Sequence, residues 1–203
     1  MTGKREAKRE ALKQRLTEAA TGRMESSGLA GLRARDIAAD AGCALGGLYN
    51  VYQSLDDLIL HINSATLGRL NAALEQAAAN TDTPRNKLVA LAREYLAFAI
   101  DNRNLWQALF DHKMPEGVIV PDWHLAEHGV LFSHVAGPIA SLKPDLNETE
   151  LHVMARTLFA AVHGIVSISL REGFIAVPRE ALDEQLTEFV QTLVTGMEHS
   201  SAS

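Results

Sequence analysis

Between Leu32 and Leu58 the chain reads LRARDIAADAGCALGGLYNVYQSLDDL, and no other stretch restricts the fold as much. Ile37, Ala38 and Ala41 give a short helical pattern one apolar face. Gly42 follows as a helix terminator able to adopt a positive φ. Leu45, Leu48, Tyr49 and Tyr52 then resume the helical period after about three residues. Two short helices joined this tightly form a helix-turn-helix, in which one helix braces and the next is offered to the DNA major groove. The stretch therefore predicts a DNA-binding module.

Arg35-Asp36-Ile37-Ala38-Ala39-Asp40-Ala41-Gly42, Gly46-Gly47-Leu48-Tyr49-Asn50-Val51-Tyr52 and Ser54-Leu55-Asp56-Asp57-Leu58 together resemble the N-terminal domain of TetR-family transcriptional regulators. The family pattern runs "IA-x-x-AG", a short turn, "G-x-LY-x-x-F" and "S-K-E-x-L". Several parts in the right order make this more specific than a lone motif. The departures are also informative. Arg33 stands where the family usually caps the first helix with Thr or Ser, Ala44 where Ser often caps the recognition helix, Gly47 where Thr is common, and Leu55 where Lys commonly approaches a phosphate. The resemblance implies DNA contacts from Lys4, Arg5, Arg33, Arg35, Ala44, Leu45, Gly46, Gly47, Tyr49, Asn50 and Tyr52. Few of these side chains can read base edges, so backbone amides and DNA shape carry more of the recognition. The same departures keep an alternative open, a helical ligand-binding protein with weakened operator recognition.

The net charge of −6 fits this only when divided along the chain. Residues 1–55 hold nine Lys/Arg against six Asp/Glu, and residues 56–203 hold ten against nineteen. The positive excess thus accompanies the helix-turn-helix, where phosphate attraction operates. One cysteine, Cys43, excludes an internal disulfide and suits a reducing compartment. The charged start lacks the apolar core of a signal peptide, so a cytoplasmic location is expected. The longest apolar stretch, Leu151 to Leu170, contains His152, Arg156 and His163 and reads as a buried or interfacial helix rather than a membrane span.

The pattern elsewhere is helical with few strand signals, so the fold class is all-α. A three-helix DNA-binding domain (1–54) precedes a larger helical effector-binding and dimerisation domain (55–198) and a flexible tail (199–203). Tyr95-Leu96-Ala97-Phe98-Ala99, Leu105-Trp106-Gln107-Ala108-Leu109-Phe110 and Val162-His163-Gly164 are similar to the ligand-binding domain of a TetR subgroup named for a Trp-x-x-x-His-Gly motif, with Phe159 in the motif's Trp region. That likeness implies a small-molecule pocket and dimerisation through the last two helices. Tyr95, Phe98, Trp106, Phe110, Trp123, Phe132 and Phe159 hold most of the chain's aromatics and are the expected pocket lining. His124 and His163 are its expected polar contacts, and the ligand is small and largely apolar. Leu151, Leu158, Val162, Val166, Leu186, Phe189, Leu193 and Met197 form the expected homodimer interface, as a four-helix bundle. His124 and His128 share a helix face but lack a ligand framework of known spacing, so neither metal nor cofactor is expected. No paired nucleophile and base and no phosphate loop is present, which argues against an enzyme. The sum is a ligand-responsive regulator, most simply a repressor that a small effector releases from operator DNA.

Overall fold

The computed structural model describes residues 2–171 and 173–200. All regular structure among them is helical: α1 (Thr2–Ser27), a 3-10 turn (Leu29–Gly31), α2 (Ala34–Asp40), α3 (Leu45–Tyr49), α4 (Leu55–Ala79), α5 (Pro84–Asp101), α6 (Arg103–Asp111), α7 (Asp122–Leu142), α8 (Glu148–Leu170) and α9 (Leu182–Ser200). The all-α expectation is met. Of the expected tail, His199 and Ser200 end α9, and residues 201–203 lie outside the described residues.

The chain divides into two compact units, one comprising the stretch up to Gly68 with Asn102–His124, the other Arg69–Asp101 with the chain from Leu125 onward. In the first, α2 and α3 have seven and five residues. Isolated helices shorter than about 12 residues are marginal in water, so these two exist by packing. Leu16, Ala20 and Met24 of α1 meet Ile37, Leu48 and Tyr52, with Leu58 and Ile62 of α4 and Leu105 of α6 completing the core. Helix α6, assigned by sequence to the C-terminal body, belongs here: Asn104 Nδ2 donates to the Glu25 carbonyl at 2.7 Å, and Asn63 Nδ2 to the Ala108 carbonyl at 3.1 Å. Helix α4 starts where Ser54 Oγ accepts from the Asp57 amide (3.0 Å) and Asp57 accepts from the Gln53 amide (2.9 Å).

In the second unit α5 packs most closely on α9 and α8 touches both. Arg93 grips Asp183 with two hydrogen bonds of 2.9 and 3.0 Å, and Arg85 reaches Thr195 and Glu198. Helix α8 opens on a capping box, Asn147 with Glu150. It is the one described helix long and apolar enough to cross a membrane, yet one side is turned inward through Ala155, Leu158, Val162 and Val166. This corrects half of the expected dimer interface. Leu158, Val162, Val166 and Leu186 are buried within the chain itself and have little or no surface to offer a partner. Leu151, Phe189, Leu193 and Met197 stay half-buried, and the outward stripe of α8 is Val153, Thr157, Ala160, Gly164 and Ile168.

Ile37 is fully buried where α1, α2 and α4 converge. Ile37→Ala is expected to destabilise the protein by about 2–5 kcal/mol, as for other large-to-small core changes, measured by denaturant unfolding; a loss below about 0.5 kcal/mol would contradict this packing.

Candidate functional site

The turn between α2 and α3 is built on Gly42, whose φ of 67° is the left-handed region a side chain disfavours. The Cys43 amide donates back to the Ala38 carbonyl at 2.9 Å, and Arg15 Nε holds the Ala41 carbonyl at 3.0 Å. Neither α2 nor α3 has a side-chain cap, because Arg33 and Ala44 occupy the capping positions. Their footing comes from α1 instead. Arg23 binds Asp40 and lies 3.6 Å from Asp36, which holds the Asp40 carboxyl below its usual range and raises the Arg23 guanidinium. The pair is exposed, so its worth is small, but it orients α2.

Helix α3 presents Ala44, Gly46, Tyr49 and Asn50 outward, with Tyr49 half exposed and Leu45 and Gly47 partly covered. Arg33 just before α2 and Arg35 within it are exposed, as are Lys4 and Arg5 at the start of α1. A Cβ on Gly46 would meet nothing within 4 Å, whereas one on Gly47 would press to 3.2 Å from Cys43 Sγ. Gly46 thus offers bare backbone to solvent, and Gly47 is small because Cys43 is packed against it. Arg9 donates to the Val51 carbonyl at 3.4 Å and sits beside the end of α3.

Tyr52 does not belong with the outward set. It is 1% exposed, and its hydroxyl is 2.6 Å from Thr17 Oγ1. Thr17 gives its own hydrogen to the Lys13 carbonyl at 2.9 Å, so Tyr52 is the donor. Burial pushes its phenol pKa up against the lowering effect of Thr17. The residue is a core strut, because its ring fills the gap between α1 and α4.

In the second unit a cavity of about 40 Å³ is lined by Leu74 of α4, Leu88, Leu91, Ala92 and Tyr95 of α5, Leu131, His134 and Val135 of α7, Leu158, Phe159 and Val162 of α8, and Val190 of α9. Tyr95 and Phe159 are where the sequence placed them. Tyr95 Oη is 2.8 Å from Nδ1 of His163, which stacks on Phe159, and Phe132 meets Phe159 edge-on. Phe98 lies off the cavity beneath the Arg69 guanidinium. Trp106, Phe110, Trp123 and His124 are corrections of another kind, since all four fold into the first unit. Trp106 is fully buried beside Phe110, and Trp123 stands between His61 and His124. His134 is the polar lining residue absent from the expected set, beside several leucines and valines that were also not expected there. Leu131, His134 and Val135 follow an i, i+3, i+4 spacing, which was the available signal.

Residues 88–193, more than half of the chain, match the family of tetracyclin repressor-like C-terminal domains. The chain belongs to the TetR family of transcriptional regulators. Solved structures agree in fold. A protein of unknown function from Rhodococcus sp. RHA1 superposes with a TM-score of 0.74 at 23% identity, covering 91% of this chain and 94% of that one. A TetR-family transcriptional regulator from Bordetella parapertussis 12822 gives 0.63 at 18% identity, covering 88% and 93%. The transcriptional regulator FadR from Bacillus subtilis, in complex with stearoyl-CoA, gives 0.69 at 13% identity, covering 88% and 97%. No curated protein matches the chain in sequence.

Two histidines of this TetR-family chain titrate abnormally. Burial lowers the pKa of His112, against Asp56 3.5 Å away, and that of His134, against the charge of Glu75. Both are therefore harder to protonate folded than unfolded. Below the unfolded value of about 6.5 the unfolded chain takes up protons that the folded chain refuses, so stability falls as pH drops through that point. The unfolding midpoint is expected to be lower at pH 5.5 than at pH 7.5, and replacing both histidines with Phe is expected to shrink the difference. An unchanged difference would contradict the assignment. Tyr52→Phe is expected to cost about 1 kcal/mol in the same measurement.

Proposed function

We propose that the protein is a cytoplasmic homodimeric repressor that leaves its operator when a small, largely apolar effector enters the second unit. The observation carrying this reading is the outward face of α3. Tyr49, Asn50 and the bare backbone at Gly46 are exposed on a helix whose other side, through Leu48, is locked into the core. Arg33 and Arg35 supply phosphate-seeking charge beside it. Lys4 and Arg5 extend that charge along the chain's first turns, and Ala44, Leu45 and Gly47 let the backbone approach closely.

Dimerisation is proposed through the outward stripe of α8 with the half-buried Phe189, Leu193 and Met197 of α9. Two-fold symmetry would then set two heads about 34 Å apart, one turn of DNA. Helix α4 has residues in both units and is the natural carrier of a change from one to the other. A ten-fold release needs an effector preference of only about 1.4 kcal/mol between two states. That FadR, which shares this fold, is in complex with stearoyl-CoA supports a small-molecule effector. The Lys that commonly approaches a phosphate is here Leu55, which is packed against the first unit's core; this supports weak operator binding, with Leu55→Lys strengthening it.

An electrophoretic shift assay with the DNA upstream of the protein's own gene tests the reading. Binding is expected to weaken with salt, Tyr49→Ala to lower affinity about ten-fold, and Arg33→Ala to reduce the salt slope by about one. Absence of any salt-sensitive binding would overturn it.

A further inference from the structure

We infer that the cavity of the second unit takes an uncharged, mainly hydrocarbon molecule bearing one hydroxyl, seated on Nε2 of His134 and admitted by displacement of α7. The inference deepens the effector reading above and rests on it.

The ligand's chemistry follows from the lining. Leucine, valine and aromatic side chains make up nearly all of it, with no lysine or arginine to offset an anion. Tyr95 Oη is already engaged by His163. Nε2 of His134, by contrast, is buried and has no hydrogen-bond partner. Such an atom costs free energy unless a partner arrives. Burial keeps this imidazole neutral near pH 7, so Nε2 either donates or accepts according to tautomer. A hydroxyl does both and satisfies either one. A carboxylate would meet no cation and would face the nearby charge of Glu75.

The size of the cavity points to movement. One water needs roughly 10–15 Å³, so about 40 Å³ holds only a few, and a ring system must part the walls. Helix α7 is the wall that yields. Pro138 lies inside it and has no amide hydrogen for the carbonyl four residues earlier, that of His134 itself. Gly129 and Gly137 add low helix propensity and have open space where a Cβ would stand. Helix α7 also packs its backbone against other helices far less extensively than α5 packs on α9. The residue with the unmet hydrogen bond and the weakest turn of the wall coincide.

Calorimetric titration of the full chain at pH 7.5 with 2-naphthol, naphthalene, 2-naphthoate and 2-naphthylmethylamine tests this. The expected result is one 2-naphthol per chain, bound about ten-fold tighter than either charged probe and about five-fold tighter than naphthalene. His134→Phe is expected to remove the preference over naphthalene while naphthalene itself still binds, which also reports that the variant is folded. If that variant fails to fold, the four-probe order in the unaltered chain decides alone. Equal or tighter binding of the anion or the cation, equal binding of naphthol and naphthalene, or no binding of any probe would overturn the inference. DNA binding measured on the same preparation without probe separates the two readings. Its loss would strike the operator proposal, while a wrong probe order with DNA binding intact would strike only this one.

Discussion

The burial of Tyr52 against α1, with its hydroxyl delivered to Thr17, is the interaction on which the head depends. Helices of seven and five residues, one with adjacent glycines at 46 and 47, have no independent stability. They are held because Ile37, Leu48 and Tyr52 converge on Leu16, Ala20 and Met24. Polar ties then fix orientation, from Arg15 to the Ala41 carbonyl, from Arg23 to Asp40 and from Arg9 to the Val51 carbonyl. Rigid backing is what the proposed use of so sparse a surface helix as a recognition element requires. Without it, the bare backbone at Gly46 would have no defined position to offer a groove.

The second unit follows a different logic. The α5–α9 seam is stapled at both ends by arginines, and α8 turns Leu158, Val162 and Val166 inward against it. Helix α7 carries a proline and two glycines and closes the remaining side of the cavity. One soft wall, α7, among the five helices that line the cavity is the arrangement the proposed opening requires, since a uniformly packed core resists deformation.

Much of this was legible in the sequence. Gly42 and the apolar spacing on either side of it located both short helices, because turn chemistry and periodicity are local. The caps were read correctly as missing at Arg33 and Ala44. What escaped was long-range. Nothing local distinguishes Tyr49, which faces out, from Tyr52, which faces α1; the difference is set by where α1 crosses. Composition groups the aromatics into one pocket, yet Trp106 and Phe110 belong to the first unit because α6 packs against α1, and Trp123 belongs there beside His61 of α4. Likewise an apolar helix with two faces to bury does not declare which face meets its own chain. Leu158 and Val162 line the cavity, and the outward stripe of α8 is made of smaller residues and Val153 and Ile168.

Hydrogen–deuterium exchange with and without upstream DNA reads the proposed recognition face itself. Slowed exchange across residues 44–50 is expected on adding DNA, with residues 158–166 unchanged. Protection confined to the second unit, or an unaltered 44–50 segment under conditions where DNA is bound, would contradict it.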